Sequence, residues 1–270
     1  MLKATGLTKT FNGGTPNEVR ALDSVNLGFD DGAFVVVVGT NGSGKSTLLG
    51  ALAGEFPLDG GRIELDGIDI TGWPVYRRAR WIGRVFQNPF AGTAPGMTIA
   101  ENLTLAARRD RRFGLARALS RRRRETLVQK VQSLNMGLEG RLDHEIGNLS
   151  GGQRQALTLL MATWVKPRLL LLDEHTAALD PKTAAVVIRL TREIVGRDRL
   201  TTLMVTHSMQ QAANLGDRLI MMHRGRIIHD VREEDKRRLR AEDLLERFED
   251  LRRTEALDAS AADLLRNHYV

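Results

Sequence analysis

The chain has 270 residues, 42% of them hydrophobic and 27% charged, enough for one core with an inserted subdomain rather than two full domains. It has no cysteine, which excludes disulfides, thiolate metal sites and cysteine nucleophiles and fits a reducing compartment. Much of its formal charge of +7 comes from "RRDRR" (Arg108 to Arg112) and "RRRR" (Arg121 to Arg124), which read either as anion contact, to nucleic acid or anionic lipid, or as a solvated helix face.

In chain order, "LKATGLTKTF" and "VRALDSVNLGF" read as strands, and "FVVVVG" is a continuous run suited to a strand buried on both faces. It leads into "TNGSGKSTLLGALAG", where Leu48, Leu49 and Leu52 recur at helical spacing and Gly54 can cap the end. "GRIELDGIDI" reads as a strand pair around an Asp-Gly turn. From Ile99 to Leu149 the pattern becomes helical, arginine-rich and glycine-poor, the candidate inserted subdomain. "RLLLLDE", "LTTLMVTH" and "DRLIMMHRGRIIHDV" then read as strands, the last a hairpin around Arg224-Gly225, with helices such as "PKTAAVVIRLTREIVG" between them. Strands alternating with helices imply a mainly parallel sheet covered on both faces. In the tail from Glu233 to Val270, the spacing of Leu244, Leu245, Phe248 and Leu251 predicts an amphipathic helix docked on the body. No apolar run approaches the roughly 20 residues of a membrane helix, and the N-terminus lacks an apolar signal region, so a soluble, cytoplasmic chain is expected.

The chemistry starts at "GTNGSGKST". It fits G-x-x-x-x-G-K-[ST] from Gly39 to Ser46 and lies between a buried strand and a helix. Gly39, Gly42 and Gly44 let the backbone curl so that N–H groups converge on phosphate oxygens. Lys45 places a positive charge between the β- and γ-phosphates, and the Ser46 hydroxyl can ligate Mg²⁺. Thr40, Asn41, Ser43 and Thr47 complete the candidate cradle. A metal also needs a carboxylate, and "LLLLDE" supplies Asp173 at the end of an apolar strand, where open α/β sheets place their ligands. Glu174, next along, is placed to polarise an attacking water. A second anion-binding pattern, "LSGGQ", offers Ser150, Gly151, Gly152 and Gln153 at a helix start without a lysine.

Together these pieces resemble the nucleotide-binding subunit of ATP-binding cassette transporters, over nearly the whole chain to about Leu251. The phosphate loop is followed by "VFQNPF", "LSGGQ", "LLLLDE", "AALD" and "VTH", in the family's order. The resemblance implies an α/β fold: a P-loop nucleotide-hydrolase core with a mainly parallel sheet, an N-terminal antiparallel β-subdomain and an inserted α-helical subdomain at about 92–160. The cassette would fill residues 1–251, with a helical tail at 252–270. It implies a head-to-tail homodimer in which the "LSGGQ" of one chain completes the ATP site of the other, with Ser150 and the amides near Gly151 and Gly152 on the γ-phosphate. Gln87 would touch the metal or the water, His207 would contact the γ-phosphate and hold Glu174 in line, and Asp180 would shape the dimer interface. Phe11 stands where the family stacks an aromatic on adenine, and otherwise reads as a strand-end aromatic. His175 follows Glu174 where the family more often has proline, and reads as structural.

The resemblance further implies ATP hydrolysis with Mg²⁺, permease subunits as separate chains, and a periplasmic or lipoprotein solute-binding protein as a further partner. The place implied is the inner face of the cell membrane, with uptake of an amino acid or similar small solute as the task. The competing readings are a soluble cassette ATPase acting on DNA or ribosomes and a non-hydrolysing regulatory module. A single motif set with one short insertion speaks against the first, so no nucleic acid is expected, and Glu174 with His207 speaks against the second.

Overall fold

The computed structural model describes residues 1–109, 121–247 and 249–250. Its frame is two sheets. The smaller one has the order β2-β1-β4-β5 and pairs antiparallel, from β1 (Leu2–Phe11), β2 (Val19–Phe29), β4 (Gly60–Leu65) and β5 (Ile68–Asp69). The larger one has the order β10-β9-β3-β8-β7-β6, from β3 (Phe34–Gly39), β6 (Ile82–Val85), β7 (Leu169–Asp173), β8 (Thr202–Val205), β9 (Arg218–His223) and β10 (Arg226–Arg232). Its strands run parallel except β10, which returns antiparallel along β9 at the edge.

Helices cover both faces: α1 (Lys45–Ala53), α2 (Val75–Arg78), α3 (Ile99–Ala106), α4 (Arg121–Gln132), α5 (Gly151–Thr163), α6 (Pro181–Asp198), α7 (Met209–Asn214) and α8 (Glu233–Arg238). The large sheet separates two cores, and side-chain alternation assigns each strand residue to one of them. Val36 and Val38 of β3, with Leu170 and Leu172 of β7, join the core built with α3 to α6. Val35, Val37, Leu169 and Leu171 join the core built with α1 and the antiparallel sheet. The "VVVV" and "LLLL" runs are thus fully buried because both faces are covered.

The expected mixed architecture is present, with both hairpin turns where the dipeptides place them. Asp66 (φ 53°) with Gly67 (φ 75°), and Arg224 (φ 45°) with Gly225 (φ 76°), supply the paired left-handed residues that two-residue turns need. Gly54 caps α1 at φ 80°, its N–H reaching Ala51 O and Gly50 O. The far end of α1 is also gripped by Arg78. Its buried guanidinium donates to Ala51 O, Leu52 O, Thr71 O and Trp73 O.

One element escaped the sequence reading, the short strand β6. The helix expected around Leu244 is present within the described residues of the tail. It follows a break after α8 at Leu239 and starts at 241, with Leu244 buried in the α-helical core and Leu245 half exposed. Phe248, Leu251, the 252–270 segment and Asp110 to Arg112 lie outside the described residues. Among the described residues no helix is long and apolar enough to cross a membrane.

Candidate functional site

Strand β3 delivers the phosphate loop to the carboxyl edge of the parallel sheet, and β7 and β8 deliver Asp173 and the His207 segment to the same edge. The loop is packed from behind. A Cβ on Gly39 would overlap Met222 O and Ser43 Oγ, and one on Gly44 (φ 98°) would overlap Ala21 O. The β9–β10 turn braces it, Gly225 N–H donating to Ser43 O at 3.0 Å. Gly44 opens α1 in the left-handed region with no side-chain cap.

Lys45 is buried and its ammonium donates to Gly39 O (2.9 Å) and Thr40 O (2.8 Å). Burial holds its pKa below the ordinary lysine value, an effect opposed by the charges of Glu174 and then Asp173. The cation thus feels the charge of both carboxylates while its hydrogen bonds go to the loop itself. A cavity of about 660 Å³ opens beside the loop, lined in part by Thr40, Asn41, Gly42, Ser43 and His207, with Leu245 and Glu249 of the tail at its rim.

Glu174 sits one residue past β7 at φ 43°, a left-handed geometry that costs a residue with a side chain about 1–2 kcal/mol. Its N–H is tied to Val205 O at 3.0 Å, and its carboxylate lies 2.5 Å from His207 Nε2. His207 is 44% exposed and Glu174 10%, so the pair presents an accessible imidazole backed by a shielded carboxylate. The His207 segment is itself held: Thr206 Oγ1 donates to Gln211 Oε1, and Gln211 Nε2 donates to Thr176 Oγ1.

His175 turns the other way, into the core. Thr191 Oγ1 spends its proton on Val187 O, so His175 Nε2 must be the donor in their 3.0 Å contact. Burial lowers the pKa of the ring to about 4, which leaves it neutral near pH 7.

The signature start lies on the helical subdomain. Ser150 Oγ accepts from Gln153 N and Gln153 Oε1 accepts from Ser150 N, a reciprocal capping box, while Gln153 Nε2 donates to Met136 O. Ser150 and Gly151 are exposed. Gly152 is buried, and a Cβ there would overlap the Thr183 methyl in the first turn of α6. Asp180 caps that turn, accepting from Thr183 N at 3.1 Å.

The remaining candidates scatter. Phe11 packs edge-on to Phe56 (5.3 Å between centroids) and does not line the cavity beside the loop. Gln87 is exposed just past β6. Ser46, Thr47 and Asp173 flank the buried lysine at the starts and ends of their elements. Ser46, Gln87 and Asp173 are all hard oxygen donors, which fits Mg²⁺. Among the described residues no cluster of three or more His, Asp or Glu could hold a metal, as expected where phosphate supplies much of the coordination.

Arg84 escaped the sequence reading. From β6 its Nη2 reaches Asp173 Oδ2 (3.2 Å) and its Nη1 reaches Glu55 Oε1 (2.5 Å), against the Phe86 ring at 4.6 Å. A charged residue inside "WIGRVF" was the available signal. The capping boxes and the Asp180 cap were legible too, as S-x-x-Q, T-x-x-E and D-P-x-T.

Comparison with known proteins places this geometry among relatives. The ABC transporter family matches residues 22–177. A tyrosine transport ATP-binding protein of Clostridioides difficile is 43% identical, over 92% of this chain and 99% of its own. An Fe(3+) ions import ATP-binding protein of Streptomyces coelicolor is 38% identical over 84% of this chain and 60% of its own. A dimeric ATP-binding cassette solved in a post-hydrolysis state, bound to ADP and phosphate, superposes with a TM-score of 0.74. It is 29% identical and covers 86% of this chain and 98% of its own.

Proposed function

The chain belongs to the ABC transporter family, and from that premise we propose that it is the ATP-hydrolysing motor subunit of an uptake system, working as a head-to-tail homodimer. Cassettes of this family are ATPases coupled to transport. One observation carries the catalytic reading: Glu174, shielded at the strand end beside the Lys45 loop, lies 2.5 Å from His207 Nε2. A carboxylate so placed can accept a proton from water while the imidazole faces the phosphate.

In this reading the amides of Gly39 to Thr47 and the Lys45 ammonium hold the β- and γ-phosphates, and Phe11 stacks on adenine. Ser46, Gln87 and Asp173 would hold Mg²⁺, which neutralises phosphate charge as it arrives with the nucleotide. Ser150, Gly151 and Gly152 close on the γ-phosphate of the opposite chain, with Gln153 bracing their turn and Asp180 near the seam. Of these three, Ser150 and Gly151 are exposed, which suits an interface, and Gly152 is buried against α6.

The subunit would sit on the inner face of the cell membrane, against separate permease chains and fed by a solute-binding protein. An amino acid or similar small solute is the cargo favoured by the full-length likeness to a tyrosine transport subunit.

Complementation between two inactive chains tests the shared site. Lys45→Ala and Ser150→Arg homodimers each carry a defect in both sites and should be nearly inactive. A mixed dimer joins the intact loop of the second chain to the intact signature of the first. Mixing should restore ATPase activity or ATP-dependent crosslinking. Restoration of neither would mean the signature acts within its own chain.

A further inference from the structure

ATP hydrolysis as set out above needs no second cation at Asp173, yet Arg84 supplies one. Parallel pairing of β6 with β7 sets Arg84 opposite Leu171, on the face packed by α1. A long side chain from there reaches forward to Asp173, two residues on and on the same face of β7. The side chain is only 13% exposed, where an unpaired charge is costly.

Its charge is paired with two carboxylates: Nη2 donates to Asp173 Oδ2 at the end of β7, and Nη1 lies 2.5 Å from Glu55 Oε1 just past α1, an ion pair without hydrogen-bond geometry. A lysine could not span them in this way, because its charge is a point rather than a planar fork. The site edge thus holds the carboxylates Glu55, Asp173 and Glu174 against the cations Lys45 and Arg84. Unneutralised carboxylates are what give a site affinity for a bare divalent ion.

We propose that Arg84 is a positioning residue for ATP hydrolysis: it aims the Asp173 carboxylate and occupies its charge, so that a divalent cation is held weakly until it arrives with the triphosphate. The inference rests on Asp173 belonging to the nucleotide site.

Manganese binding to the nucleotide-free full chain, read by electron paramagnetic resonance, tests it. Arg84→Met keeps the buried volume and should bind Mn²⁺ about tenfold more tightly than the parent. It should also lower kcat with the KM for ATP little changed, since the phosphate loop is untouched. Arg84→Lys retains the charge without the fork, so it should bind Mn²⁺ less tightly than Arg84→Met while kcat stays below that of the parent. If Arg84→Met does not fold, Arg84→Gln is measured in its place.

Mn²⁺ affinity equal to or below that of the parent in the uncharged variant overturns the proposal. Asp173→Asn separates the two readings. Mn²⁺–ATP binding that survives Asp173→Asn removes Asp173 from the site and takes both readings down. If that binding is lost while Arg84→Met gains no Mn²⁺, the site stands and Arg84 loses its role.

Discussion

Two helices in this chain start from glycine-rich loops, and the two starts are built in opposite ways. At α1 the cap is Gly44, no side-chain oxygen closes the first turn, and the next residue is a buried lysine. At α5 the cap is Ser150, Gln153 closes a reciprocal box over it, and the nearby cation, Arg154, is buried and spent on the carbonyls of Ile146, Gly147 and Leu149. Open amides backed by a buried cation can hold a multiply charged anion unaided. A capped start offers a weaker dipole, suited to a phosphate that another surface already holds. Glycine count does not tell such loops apart; the cap and the neighbouring charge do.

The contrast breaks most completely at Lys45. Lys45→Ala should weaken MgATP binding by about 3 kcal/mol, a hundredfold, in titration calorimetry. Unchanged affinity would show that amides alone suffice and that the two starts are equivalent.

Gly152 tests why the second start is glycine-rich at all. Gly152→Ala should cost about 2–3 kcal/mol in urea unfolding, because its methyl meets the Thr183 methyl of α6. Adding Thr183→Ser, which removes that methyl, should recover most of the loss. Without recovery, close packing is not the reason for the glycine.

His175 lies in the turn between β7 and α6, following Glu174 and bonded to Thr191 of α6. Its pKa is about 4 in the fold and ordinarily about 6.5. The unfolded chain therefore binds the extra proton first, so the neutral ring's contribution is whole above pH 6.5 and is lost as pH falls toward 4. Between pH 6.5 and 5 the parent should lose about 2 kcal/mol more stability than His175→Leu. Parallel pH profiles for the two proteins would place the ring in solvent.

Ser150 gives the smallest effect and the finest distinction. Ser150→Ala should cost about 1 kcal/mol as a lost cap. Ser150→Asp keeps the cap but puts a carboxylate where the opposite phosphate would sit. It should retain stability and lose ATP-driven dimerisation by size-exclusion chromatography. Retention of both would leave Ser150 a cap and nothing more.

Much of the fold could be read from the chain because its signals are local. The β-branched run of β3, the Asp66-Gly67 and Arg224-Gly225 turns and the Gly54 cap each depend on a few adjacent residues. Strand β6 has only four residues, and Gly83 and Arg84 inside it dilute the strand preference of Ile82 and Val85, so pairing with β7 decides it. The phosphate loop and the Asp173-Glu174 pair were legible as motifs. The Arg84 bridge was not, because 29 and 89 residues separate it from Glu55 and Asp173. The Ser150–Gln153 cap was passed over differently: the same short pattern was read for an anion cradle, and the structure shows it closing a capping box.

The Arg78 grip on α1 has a mechanical meaning. Its acceptors, Ala51, Leu52, Thr71 and Trp73, are all neutral carbonyls, so no titration between mild acid and mild base can release it. The helix is about 14 Å long, with the glycine-rich Lys45 loop at one end and this rivet at the other. Arg78 thereby ties the far end of α1 to the Thr71-to-Arg78 segment, on which Tyr76 is 75% exposed.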